Sequence, residues 1–154
     1  MTLLLDEQQR IDWLQLYKSE NVGPATFRRL INRFGGARAA VEALPDLSRR
    51  GGLKRPIRIY PREAAERDFE NADRHGARFI ALGESLYPPF LRHISDAPPL
   101  ICAVGLLELL TSFCIGIVGA RNASAVGRKF ARQLASELGA ADYTIISGLA
   151  RGID

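Results

Sequence analysis

The sequence predicts a small helical domain followed by an incomplete parallel α/β sheet. Three observations carry this reading. The first half of the 154 residues places apolar side chains at helical spacing between glycine-containing breaks. The second half changes to short, continuous apolar runs of the kind expected when both faces of a strand are covered. A long amphipathic segment separates two of those runs, and strand–helix alternation points to a parallel sheet.

Taken in order, Asp6 and Glu7 suit the positive end of a helix dipole, and Ile11, Leu14 and Tyr17 follow at helical spacing. Asn21–Gly23 breaks this first helix and Pro24, a good first-turn residue, restarts it. Phe27, Leu30, Ile31 and Phe34 form the apolar stripe of the second helix, which ends at Gly35–Gly36. A third helix is expected over Ala37 to Leu44, an irregular stretch over "RRGGLKRPIRIYP", and a fourth helix from Arg62 to Arg74, closed by His75–Gly76. The runs "ARFIAL" (77–82), "PLICAVG" (99–105), "CIGIV" (114–118) and "YTIIS" (143–147) then read as strands, separated by helical turns such as "GLLELL" and by the 124–138 helix. The change of character near residues 72 to 77 divides the chain into a helical domain, 1–74, and the start of a sheet domain, 75–154.

The totals narrow the class. No apolar run approaches the ~18 to 20 residues that span a bilayer, and the N-terminus lacks the basic region and small-residue cleavage site of a signal peptide. Cys102 and Cys114 both lie in strand-like apolar runs and read as buried, reduced thiols of a cytoplasmic protein rather than as a disulfide. His75 and His93 stand alone, with no Cys or carboxylate cluster, so neither metal nor cofactor is expected. The net charge is +4, unevenly placed. Nine basic residues, Arg28, Arg29, Arg33, Arg38, Arg49, Arg50, Lys54, Arg55 and Arg58, face only Glu42 and Asp46 between positions 28 and 58. Such a cluster either attracts nucleic acid or an acidic partner, or is a solvated helical face.

The segment "CIGIVGARNASAVGRKFARQLASELG" has the layout of a phosphate-binding strand, loop and helix. It fails both nucleotide fingerprints. Gly116 and Gly119 are not followed by a third glycine at dinucleotide spacing, and Gly127-Arg128-Lys129 lacks the order of a Walker A loop. What remains is an anion site. Gly119 lets the backbone turn and approach a ligand, and Arg121 at the loop tip can grip a phosphate with two hydrogen bonds. Ser124 caps the helix and Gly127 keeps its first turn open. Phe130, Leu134 and Leu138 are expected to pack on the sheet, with Arg128, Lys129 and Arg132 off that stripe. The closing "YTIISGLARGID" is a second strand with a glycine loop. In a parallel sheet Ser147, Gly148, Arg151 and Gly152 would face the same crevice as Arg121, at the carboxyl edge where open α/β sheets bind ligands. Two glycine loops, each with an arginine, suit a chain of phosphates better than one nucleotide.

These residues resemble the DNA-processing protein A (DprA, or Smf) family. Gly119-Ala120-Arg121 matches the family's G-[SA]-R, and Ser147 to Asp154 match S-G-x-A-x-G-I-D. Tyr87, Pro88, Leu91, Asp96, Pro98, Pro99 and Leu100 are similar to its Y-P-x-x-L…D-x-P-P-x-L segment. The helical half resembles its SAM-like domain, and Asn21-Val22-Gly23-Pro24 resembles a helix-hairpin-helix turn that either meets a DNA phosphate or simply joins two packed helices. The resemblance implies a Rossmann-like fold that binds single-stranded DNA, protects it during natural transformation and loads a RecA-type recombinase on it, as a homodimer and without catalysis. No nucleophile–base pair contradicts that. By position, Arg121 is the principal phosphate ligand, Gly119, Ala120, Asn122 and Ser124 shape its loop with Arg128 and Lys129 beside it, and Ser147 to Gly152 form the neighbouring loop. With the sheet only partly built at Asp154, the chain reads as a truncated member. Two other readings remain: a nucleoside-monophosphate-hydrolysing Rossmann-like enzyme, whose P-G-G-x-G-T loop and catalytic glutamate are not visible here, and a duplex-binding helix-hairpin-helix protein.

Overall fold

The computed structural model describes residues 4–52 and 55–154, so Lys54 of the basic cluster lies outside the described residues. The chain forms two compact units, Met1–Leu107 and Glu108–Asp154.

The first unit opens with α1 (Glu7–Lys18), whose N-terminus is closed by a reciprocal capping box. The Asp6 carboxylate accepts from the Gln9 amide at 2.7 Å, and the Gln9 side chain accepts from the Asp6 amide at 2.9 Å. Next come α2 (Pro24–Phe34) and α3 (Ala37–Arg50), with Pro24 at the first helical position of α2 as its fixed φ favours. The third helix runs one and a half turns past the expected end at Leu44. Pro45 sits inside it on the exposed side, and the continuation carries Leu47 against the core. The fourth helix, α4 (Arg62–Arg74), occupies the predicted span.

Two apolar cores flank α1. On one side Leu16 meets Val22, Phe27, Leu30, Ala37, Ala40 and Leu44, with Trp13 and Tyr17 set edge-on to the Phe27 ring at 5.0 and 6.2 Å. On the other, Ile11 and Leu14 pack with Ala65 of α4 and with Ala81 and Leu100, which belong to the strands β1 (Ala77–Ala81) and β2 (Leu100–Val104). The change of sequence character near residues 72 to 77 therefore lies inside the first unit. Polar links reinforce the same joints. Asp68 accepts from Lys18 at 2.7 Å and from the Tyr60 hydroxyl at 2.8 Å; burial works to raise its pKa, but these bonds outweigh it and hold the carboxyl below its ordinary range. Arg10 of α1 pairs with the buried Glu84, which also accepts from the Ala81 amide.

β1 and β2 pair antiparallel, Ala77 opposite Val104 and Ala81 opposite Leu100, where a parallel arrangement was expected. A parallel pair needs a crossover element laid across the sheet. The connection here contains only the four-residue α5 (Pro89–Arg92) and folds back on itself. Tyr87, fully buried, pins that fold by donating to the Pro98 carbonyl at 2.8 Å. The tyrosine–proline signature of residues 87–100 is thus a structural staple. The cover on the face shared by Ala81 and Leu100 stops short of the far end of β2, so Cys102, expected inside, is exposed, as is Val104 beyond it.

A short 3₁₀ turn, Leu107–Thr111, begins at the last residue of the first unit, and the second unit continues with β3 (Cys114–Gly116), α6 (Ala125–Ala140) and β4 (Thr144–Ile146). β3 and β4 are parallel, in the register Cys114–Thr144, Ile115–Ile145 and Gly116–Ile146, as the alternation predicted. The face that α6 turns inward includes Leu134 and Leu138 as expected, but not Phe130. Ala131 is buried, with Gly127, Leu134, Ala135 and Leu138 half-buried, while Phe130 is 64% exposed. The rest of the inward face is made by the small residues Gly127, Ala131 and Ala135.

Candidate nucleic-acid interface

The loops that follow β3 and β4 form one interlocked body, built largely by glycine. Past β3 the ladder continues with the Ile117 amide on the Ile146 carbonyl at 2.9 Å, and the Ser147 hydroxyl donates to the Ile117 carbonyl at 2.9 Å. The second loop then turns back onto the first, where the Ile153 amide reaches the Ala120 carbonyl at 3.3 Å. Two glycines permit this contact. A Cβ on Gly152 would stand 2.1 Å from the Ala120 carbonyl oxygen, and its φ of +109° is one that side chains rarely adopt. A Cβ on Gly119 would stand 2.7 Å from the Ile153 side chain. Ile153 fills the space left by Gly119 and reaches the start of α6, where its Cδ1 would lie 3.6 Å from a Cβ on Gly127.

The start of α6 is set by Ser124, whose hydroxyl accepts from the Gly127 amide at 3.0 Å. Arg128 folds back to donate to the Ala123 carbonyl at 2.7 Å, so its guanidinium braces the loop as well as charging it. Arg151 in the second loop approaches the Asn122 side-chain oxygen at 3.4 Å, which brings it to the rim carrying Arg121. Arg121 is exposed at the loop tip. Among the described residues neither Arg121 nor Arg151 forms an ion pair, and neither do Arg128, Lys129 and Arg132. From Leu109 to Ser136 the chain carries four basic residues and no acidic one.

Of the residues expected at the site, Gly119, Ala120, Asn122, Ser124, Ser147, Gly148, Arg151 and Gly152 belong to this interlocked pair of loops, with Arg121 and Arg128 on them. Lys129 adds charge to α6 but makes no hydrogen bond to either loop. Sequence reasoning missed the two residues that lock the loops, Ile153 and Asp154. The Asp154 carboxylate accepts from the Gly119 amide at 3.1 Å, and its other oxygen would lie 3.0 Å from a Cβ on Gly148. Both residues stand in the quoted G-I-D ending, and that was the available signal.

The basic cluster of the first unit is largely engaged with its own surroundings. Arg38, Arg49 and Arg55 pair with Glu42, Asp46 and Glu20, and Arg28 donates to the Ser95 carbonyl. The Asn21–Pro24 turn buries Val22 in the core beside α2, and Asn21 takes a left-handed φ of 60°. Among the described residues no three His, Cys, Asp or Glu side chains group as a metal site requires, and no helix is long and apolar enough to cross a membrane.

Residues 7–71 match the family described as "DprA-like N-terminal HHH domain" and residues 78–154 the one described as "DNA recombination-mediator protein A". The DNA processing protein DprA of Bacillus subtilis (strain 168) is 39% identical over 80 residues, 51% of this chain and 27% of that protein. Protein Smf of Escherichia coli (strain K12) is 34% identical over 95 residues, 62% of this chain and 25% of that protein. Protein Smf of Synechocystis is 28% identical over 152 residues, 92% of this chain and 38% of that protein. The chain thus spans between about a quarter and two fifths of the length of these relatives. On the two family matches, which between them take in both the helical layer and the glycine loops, the chain belongs to the DprA/Smf family of DNA recombination-mediator proteins.

Proposed function

We propose that this chain carries the phosphate-gripping part of a single-stranded DNA-binding protein, one that protects single strands and hands them to a RecA-type recombinase. The observation that carries this reading is the pair of interlocked loops presenting Arg121 and Arg151, free of carboxylate partners, along one rim. A guanidinium at each of two adjacent loop tips matches successive diester phosphates, and base identity plays no part in such a grip. The role is non-catalytic, performed in the cytoplasm, and exercised as a homodimer. Family membership and the relatives named for DNA processing support the general role.

The test is binding of a fluorescent oligothymidylate across a salt series. Affinity falls with salt along a log–log line, and Arg121→Ala reduces that slope by about 0.7, the value of one single-strand phosphate contact. An Arg121→Ala protein that binds as tightly as the parent would sink the proposal.

A further inference from the structure

The amide that a phosphate-binding glycine loop would offer its ligand is already occupied. In strand–loop–helix sites the backbone N–H groups at the end of the first strand point at the bound anion. Here the Gly119 amide donates instead to the Asp154 carboxylate at 3.1 Å. The other Asp154 oxygen lies against Gly148 so closely that a Cβ there would stand 3.0 Å away, and Asp154 itself is half-buried. The neighbouring contacts leave little freedom, since Ile153 fills the space under Gly119 and Gly152 lies flush on the Ala120 and Arg121 carbonyls. A negative charge is thus held on the amide at the end of the first strand, while Arg121 and Arg151 remain on the rim.

We propose that Asp154 is a positioning and specificity residue of this site. Its carboxylate takes the Gly119 amide as an internal anion, fixes the loop that carries Arg121, and turns away phosphomonoesters and pyrophosphates, which carry more negative charge than a diester. Backbone diesters, held from the rim by the two arginines, do not need that amide. This inference rests on the single-strand reading above and adds a reason for the failure of both nucleotide fingerprints. The missing third glycine and the missing lysine are accompanied by a carboxylate that fills the nest.

Three variants of the chain, Asp154→Asn, Asp154→Ala and Arg121→Ala, separate the possibilities when titrated with oligothymidylate and, independently, with inorganic pyrophosphate. Asparagine keeps an oxygen that can accept from Gly119 but removes the charge, whereas alanine removes both. Asp154→Asn is expected to bind the oligonucleotide at least as tightly as the parent, and Asp154→Ala about tenfold more weakly because the loop loses a charge-assisted hydrogen bond. Pyrophosphate is expected to leave the Gly119 amide resonance of the parent unmoved and to shift it in Asp154→Ala. The inference is overturned if Asp154→Asn binds the oligonucleotide as poorly as Arg121→Ala, and this outcome can be read even where Asp154→Ala does not fold. It is also overturned if Asp154→Ala matches the parent in both titrations while Arg121→Ala is impaired. If Arg121→Ala is unimpaired, or the parent does not bind the oligonucleotide, the single-strand reading itself fails.

Discussion

The two units of this chain hold their shape in different ways. The first relies on apolar burial, with α1 between two cores and aromatic rings packed edge-on around Phe27. In the second, Ala131 is the single buried apolar side chain among the described residues, and the loops are positioned by backbone hydrogen bonds that glycine makes sterically possible. A unit of the first kind tolerates change at its surface and suffers when volume is lost inside. A unit of the second kind suffers when a single Cβ is added. Burial in the first unit and docking of the loops in the second are therefore addressed by different substitutions.

The largest expected effect comes from emptying the first core. Phe27→Ala, at a site 2% exposed, should cost about 3–5 kcal/mol, a large part of the stability of an ordinary domain. Denaturant unfolding followed by the fluorescence of Trp13, its edge-on neighbour, measures it directly. If the contrast holds, the amide resonances of Gly119 and Gly152 stay in place until that transition begins.

Gly152→Ala should act the other way round. At φ +109°, and with a carbonyl oxygen 2.1 Å from the added carbon, the loops must separate. The backbone strain alone is on the order of 1–3 kcal/mol. Oligothymidylate binding should be lost while the Trp13 unfolding transition keeps its midpoint. A Gly152→Ala protein that binds normally would show that the docking of the loops is incidental.

The smallest effect concerns acid. The hydrogen bond from Arg55, and after it the Arg58 amide, hold the Glu20 carboxyl at about 2, below its ordinary 4.5. A depressed carboxyl stabilises the fold above its unfolded pKa and loses that contribution as pH falls toward the folded value. The urea midpoint of the first unit should therefore drop between pH 4.5 and about 2, and Glu20→Gln should flatten part of that drop.

Much of this was legible in the sequence. The four long helices of the first unit follow from periodicity with Asp6, Pro24 and Gly35 as punctuation, and α4 and the four strands lie within the predicted runs. Local signals of this kind act over one or two turns of chain, so they survive without tertiary information. Pairing does not. The antiparallel match of β1 with β2 depends on how residues 82–99 fold, and a continuous apolar run reads alike in either sheet. Leu134 and Leu138 of α6 face inward as their spacing implied, but Phe130 does not, because the small residues Gly127, Ala131 and Ala135 complete that face instead. At the site, the sequence supplied the glycines and arginines because their chemistry is intrinsic. It did not assign Ile153 and Asp154, whose roles exist only once the second loop is folded onto the first.

The core shared by α1, α4, β1 and β2 has a consequence for how such a gene can be rearranged. The two family matches meet between residues 71 and 78, and a recombinant joined there would look natural on paper. Yet Ile11, Leu14 and Ala65 lie on one side of that joint and Ala81 and Leu100 on the other, filling a single space. A helical segment inherited from one relative and a hairpin from another would bring two halves of a volume that were never fitted together. The workable crossover lies some thirty residues later, beyond Val104, where both halves of that core stay on the same parental side.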